Sequence, residues 1–135
     1  MAEYVWDNAH LTIDSVDLSD HVRRLRLRYS AEPKDFTRMG HNTRIEKGGL
    51  KNWEVEVDFN QDHAAAEVDA TLWGIVGTEV TIAIRPDTGA KSATNPEYGG
   101  DAHIREYVPL QGAVGDEAIA SLMMGPASDL ARTTT

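Results

Sequence analysis

The sequence contains no cysteine. That excludes disulfide staples, thiolate metal sites and a cysteine nucleophile. It also has no long apolar run. Its uninterrupted hydrophobic stretches are a few residues each, far short of the roughly 20 that a membrane-spanning helix needs. Positive charge is in deficit: 13 Lys+Arg against 22 Asp+Glu leave a net charge of −9 and a pI near 4.9. A generic duplex-DNA binder needs the opposite balance, because cations must displace the phosphate counterions. The balance does not exclude a protein that sits beside DNA without adhering to it. The opening Met1-Ala2-Glu3-Tyr4-Val5-Trp6-Asp7 has neither a basic start nor an apolar core, so no secretory signal is expected.

What is present is a chain of 135 residues, 41% hydrophobic and 26% charged, close to globular averages. One domain over residues 1–135 is expected, long enough to bury its own core. The dominant period is two. In Val22–Tyr29, Leu25, Leu27 and Tyr29 alternate with Arg24, Arg26 and Arg28; in Trp53–Phe59, Trp53, Val55, Val57 and Phe59 alternate with Glu54, Glu56 and Asp58. Further strands are expected at Glu79–Arg85, at Ala102–Gln111 anchored by Ile104, Val108 and Leu110, at Ala118–Met124, at His10–Ile13 and at Val16–Leu18. One segment breaks the period. Asp62–Val76 is alanine-rich with a helical apolar stripe, an N-capping Asp62 and a stop at Gly77, which predicts a helix of about four turns. Leu25, Val57, Phe59, Leu72, Trp73, Ile82 and Ile84 are the expected core. Ala31–Asn52 and Pro86–Gly100 read as long loops, a length that is often functional. Asp129–Thr135 reads as a tail.

No catalytic constellation emerges. Glu54, Glu56 and Asp58 alternate along one strand, whereas a carboxylate-pair hydrolase needs an acid and a base across a cleft. Asp14, Asp17 and Asp20 lack the spacing, glycine and terminal Glu of a calcium loop and read as turn or capping residues. The five histidines are scattered with no HExxH, so no metal site is expected. Gly89-Ala90-Lys91-Ser92 lacks the Gly-Lys-Ser/Thr run of a phosphate loop, and no serine sits in a nucleophile elbow. No enzyme activity and no cofactor are expected. The Arg24/Arg26/Arg28 and Glu54/Glu56/Asp58 rows have two readings. They form either a solvated sheet face or a charged wall toward a partner or lumen; if the strands pair, the rows oppose each other with complementary charge.

Several segments together carry a resemblance. They are Val16-Asp17-Leu18-Ser19-Asp20-His21-Val22, Met39-Gly40, and Gly48-Gly49-Leu50-Lys51-Asn52-Trp53. Val55-Glu56-Val57-Asp58-Phe59-Asn60-Gln61-Asp62, Ile84-Arg85-Pro86-Asp87 and Ser92-Ala93-Thr94-Asn95-Pro96-Glu97-Tyr98 complete the set. From about residue 10 to 130 the chain resembles the tail tube (major tail) proteins of long, non-contractile-tailed bacteriophages.

The resemblance implies a mainly β fold, a two-sheet antiparallel sandwich or barrel-like core with one flanking helix. It implies six copies in a ring, rings stacked into a hollow tube, and genomic DNA passing through the lumen without specific binding. The partners implied are the chain itself and the tail-tip, tape-measure and terminator proteins, with no membrane. The location implied is the virion tail, assembled in the host bacterial cytoplasm. Within that frame, Glu54, Glu56, Asp58, Arg24, Arg26 and Arg28 are lumen-facing candidates. Lys34, Asp35, Phe36, Arg38, Met39, His41, Arg44, Glu46 and Lys47 are candidates for inter-subunit and inter-ring contact. The alternatives are a tail terminator, a related tube subunit (gene transfer agent, pyocin or type VI-like), or a monomeric β-sandwich binding module. The last would need converging exposed aromatics from Tyr4, Trp6, Phe36 and Tyr98.

Overall fold

The computed structural model describes residues 9–63 and 67–135. Tyr4, Trp6 and the alanines at the front of the expected helix therefore lie outside the described residues. The strands are β1 (His10–Ile13), β2 (Val16–Asp17), β3 (Val22–Asp35), β4 (Glu46–Asn60), β5 (Glu79–Arg85), β6 (Glu97–Gln111), β7 (Ile119–Pro126) and β8 (Ala131–Thr133), with one helix, α1 (Val68–Leu72). All pairings are antiparallel, in the order β2-β1-β5-β6-β7-β4-β3, with β8 also on β6. The fold is mainly β, as expected, and its ladders join into one eight-stranded sheet.

Strand β6 links the two halves of that sheet. One edge carries β5 along Tyr98–His103; the opposite edge carries β8 at Glu97–Gly99 and β7 from Ala102 to Gln111. The sheet curls around a single core. Leu11 and Ile13 of β1, Val55, Val57 and Phe59 of β4, Ile82 and Ile84 of β5, Ile104 of β6, and Leu122 and Met124 of β7 are buried together with Val68 and Leu72 of α1. Leu25, Leu27 and Tyr29 of β3 line a groove of about 550 Å³ with Ile84, Pro86, Tyr98 and Leu130, so β3 comes round toward the β5 side. The β1–β2 turn is tight. Asp14 and Ser15 both adopt positive φ (52° and 66°), the geometry of a two-residue hairpin whose twist matches its strands.

Six expectations are corrected. The loop expected over Pro86–Gly100 ends where β6 begins at Glu97. The segment Ala31–Asn52 is not a loop: β3 and β4 continue as a two-stranded ribbon to Asp35 and Glu46, leaving only residues 36–45 as the connection. Both faces of the ribbon meet solvent, so it has no apolar alternation to read; ladder pairing alone carries it, with a bulge between Ala31 and Pro33 where proline cannot donate. Among described residues the helix is short. It begins at Val68 after an extended Glu67 and ends in a 3-10 turn, Trp73–Ile75. Val68 and Leu72, four apart, face the core, and Trp73, a further 100° round, points out and is 68% exposed. Leu110 is likewise exposed, because a bulge between Ile104 and Glu106 reverses the alternation and turns Tyr107 toward the core instead. Finally, the supposed tail contains β8, whose detour from β7 leans on Gly100, where any Cβ would strike the Asp129 carbonyl.

Candidate functional site

Strands β3 and β4 are paired, and the Arg and acidic rows oppose each other on one face. Arg24 stands opposite Asp58, Arg26 opposite Glu56 and Arg28 opposite Glu54. On the other side β4 meets β7, and β7 meets β6, so β3-β4-β7-β6 form a continuous four-stranded face. Its acidic row is held from the far side. Arg105, at the β6 bulge, reaches across β7 to place Nη1 3.3 Å from Glu54 Oε1, while Ser121 Oγ donates to Asp58 Oδ1 at 2.9 Å. The guanidinium crosses β7 at Gly125, where a Cβ would collide with it. None of the ion pairs among the described residues includes Arg24, Arg26 or Arg28, which remain exposed beside their acidic neighbours. The face thus alternates charge by strand, with each of these Arg residues opposite a carboxylate on β4.

Among the described residues this four-stranded face ends in two free edges. Strand β3 pairs, among the described residues, only with β4. On β6, the edge that carries β5 continues through Ile104, whose N–H and carbonyl meet Thr78 and Gly77, and has no partner strand beyond it among the described residues. Unpaired edges are hazards in a monomer and natural seams in an assembly.

The ribbon projects past the sheet, because β7 covers only Val55–Asn60 of β4. The sequence-derived contact candidates all lie on it: Lys34 and Asp35 close β3, Glu46 and Lys47 open β4, and Phe36, Arg38, Met39, His41 and Arg44 occupy the tip. Every one of them is exposed. The tip is nonetheless ordered by its own bonds. Phe36 N–H donates to the Ile45 carbonyl at 2.8 Å, Ile45 N–H to Thr37 Oγ1 at 2.8 Å, and Thr37 N–H to Asp35 Oδ1 at 2.9 Å. The Thr37 bonds hold the Asp35 carboxyl below its usual range. Lys47 Nζ lies 5.0 Å over the Phe36 ring, and Lys51 Nζ 5.8 Å over Tyr29. Between Ala31 and Asn52 five Lys/Arg outnumber three Asp/Glu, a charge of +2 that leaves −11 on the rest of the chain.

The Ser92–Tyr98 motif is explained by Asn95. Its Nδ2 donates toward the carbonyls of Asp87, Gly89 and Ala90 at 3.1–3.3 Å while its Oδ1 accepts from Asp87 N–H at 3.0 Å, so one side chain folds the loop between β5 and β6. Two clusters were not legible from spacing. Tyr107 Oη donates to Asp69 Oδ1 at 2.8 Å and accepts from Gln61 Nε2 at 3.0 Å; burial, then the neighbouring Asp69, push its pKa up to about 12. His21, Asp62 and Glu67 bring ligand atoms within 4.8 Å of one another.

Neither a family model nor a curated protein matches this sequence. Solved structures do match. A chain in the virion of a native gene transfer agent particle superposes with a TM-score of 0.73 at 20% identity, over 93% of this chain and 95% of that one. A chain in the tail of an empty gene transfer agent particle, refined helically with C6 symmetry, gives 0.66 at 21% identity, over 84% and 82%. The SPP1 Dit (gp 19.1) protein, from the hub adsorption apparatus of phages infecting Gram-positive bacteria, gives 0.50 at 17%, over 90% of this chain and 50% of that one. The chain shares its fold with components of these particles.

Proposed function

We propose that this protein is the structural subunit of a phage-type tail tube, six copies forming a ring and rings stacking into a conduit for DNA. The observation that carries the reading is the four-stranded face with its two free edges, on a fold shared with a chain of a C6-symmetric tail. Pairing the β3 edge of one copy with the open edge of β6 in the next would join the faces into a closed barrel and remove both edges. Isologous pairing would stop at a dimer; this pairing is head-to-tail and closes by rotation.

In that ring the Arg24–Asp58, Arg26–Glu56 and Arg28–Glu54 rows line the lumen. Register compensation keeps the wall near neutral. DNA then meets few uncompensated cations and slides without the salt-sensitive grip that each free Arg would add. The basic ribbon reaches the acidic body of a neighbouring ring, where complementary charge sets register along the axis. The protein acts with itself and with the tip, tape-measure and terminator proteins in a virion tail assembled in the host cytoplasm. It has no catalytic role.

Negative-stain electron microscopy with sedimentation velocity across concentration tests this. Hollow stacked rings are the expected product. Single rings that never stack would favour a terminal or hub component, the reading to which the Dit likeness points. A monomer that stays inert even with a tail-tip complex present would overturn both.

A further inference from the structure

We infer that His21, Asp62 and Glu67 form a binding site for a zinc-class divalent cation, independent of the tube reading. The three residues come from separate segments. His21 closes the 3-10 turn before β3, Asp62 follows the end of β4, and Glu67 is the N-cap of α1. The sheet brings them together, because Val22 and Phe59 are register partners and Asp69 N–H donates to the Asp62 carbonyl at 3.0 Å. One imidazole nitrogen and two carboxylate oxygens lie within 4.8 Å of one another, and all three residues are half-buried.

The donor set selects the ion. An imidazole with two carboxylates suits zinc and its first-row neighbours, whereas calcium and magnesium prefer six or more oxygens. Three protein ligands leave a position for water. His21 Nε2 and Glu67 Oε2 now share a hydrogen bond at 2.6 Å. A tetrahedral ion with bonds of about 2.0–2.2 Å holds its donors about 3.3–3.5 Å apart. Binding therefore needs the His21–Glu67 pair to part by less than about 1 Å, with the Asp62 carboxylate as the third donor. The ion would tie Asp62 to the His21–Glu67 pair, linking the open end of the β3–β4 hairpin to α1.

Calorimetric titration of the EDTA-stripped full chain with zinc chloride, followed by thermal unfolding, tests the site. One zinc per chain and a melting midpoint raised by about 5 °C at saturation are expected. His21→Gln keeps a donor toward Glu67 but lowers zinc affinity at least tenfold, as does Asp62→Asn. Melting of each variant in EDTA confirms that it is folded. His41→Gln, at the ribbon tip, leaves binding intact, and calcium binds at least a hundredfold more weakly. No zinc uptake by the wild type overturns the site. Equal uptake by wild type, His21→Gln and Asp62→Asn does so too, since it would place the ion elsewhere.

Discussion

Replacing residues 36–45 by Asn-Gly separates folding from stacking. Asp35 and Glu46 are register partners, so a two-residue type I′ turn joins them without shifting the ladder. The removed segment contributes nothing to the core: nine of its residues are exposed and Ile45 is half-buried. Its four ordering hydrogen bonds lie at an exposed tip and are together worth about 1–2 kcal/mol. Shortening the loop from ten residues to two returns about 1.4 kcal/mol of closure entropy. The two terms nearly cancel, so the variant should melt within a few degrees of the wild type. Assembly behaves differently. If Phe36 and Met39, both exposed on the free chain, are buried between rings, their loss removes about 1.5–3 kcal/mol each. Losing Arg38 and Arg44 also takes the net charge from −9 to −11, raising repulsion between rings. Stacking should weaken at least a hundredfold while single rings persist. Sedimentation velocity and negative-stain imaging, at concentrations where wild type forms tubes, read both quantities. Tubes of ordinary length with a critical concentration within threefold of wild type would refute the assignment of this tip to the ring–ring contact.

Three further outcomes follow from particular contacts. Converting Glu54→Gln, Glu56→Gln and Asp58→Asn together strips the Arg row of its compensation. The triple variant should bind duplex DNA at low salt with a log–log slope of about −3, and wild type should not; no difference in retention would sink the compensation argument. Tyr107 binds its proton more tightly in the fold (pKa about 12) than in the unfolded chain (about 10). Its contribution is therefore full below pH 10 and is lost as pH rises toward 12. The shift caps that contribution at about 2.7 kcal/mol, and screening of the half-buried phenol reduces it to on the order of 1 kcal/mol. Urea titrations from pH 9 to 11.5 should show wild type losing more stability than Tyr107→Phe, and parallel declines would contradict the assignment. Ser15→Gly relieves a positive φ at an exposed turn and should stabilise by about 1 kcal/mol, read as a higher urea midpoint; a lower midpoint would show that the Ser15 side chain supports the turn.

What could be read from the sequence depended on whether a residue's position is encoded by its near neighbours. Val55, Val57 and Phe59 alternate with acids and bury where expected, because one face of their strand packs on the core. That same period put the Arg and acidic rows on one face, since a one-residue slip would expose both apolar sets; the residue-by-residue register is a property of the folded ladder. Val108 and Leu110 are displaced from the core by one bulge at Arg105, which changes parity without altering the residue pattern and turns Tyr107 inward instead. The ribbon was missed for the opposite reason: with solvent on both faces, its pairing leaves no apolar trace. Strand β8 owes its place to Trp53, buried on β4, whose indole N–H donates to the Ser128 carbonyl 75 positions away at 3.0 Å. The His21–Asp62–Glu67 cluster likewise exists only once β3 and β4 are in register. Buried periodicity therefore fixes the strands of the core. The ribbon and the edges, which the proposed tube would use for contact, are the parts that a monomer leaves without a burial pattern.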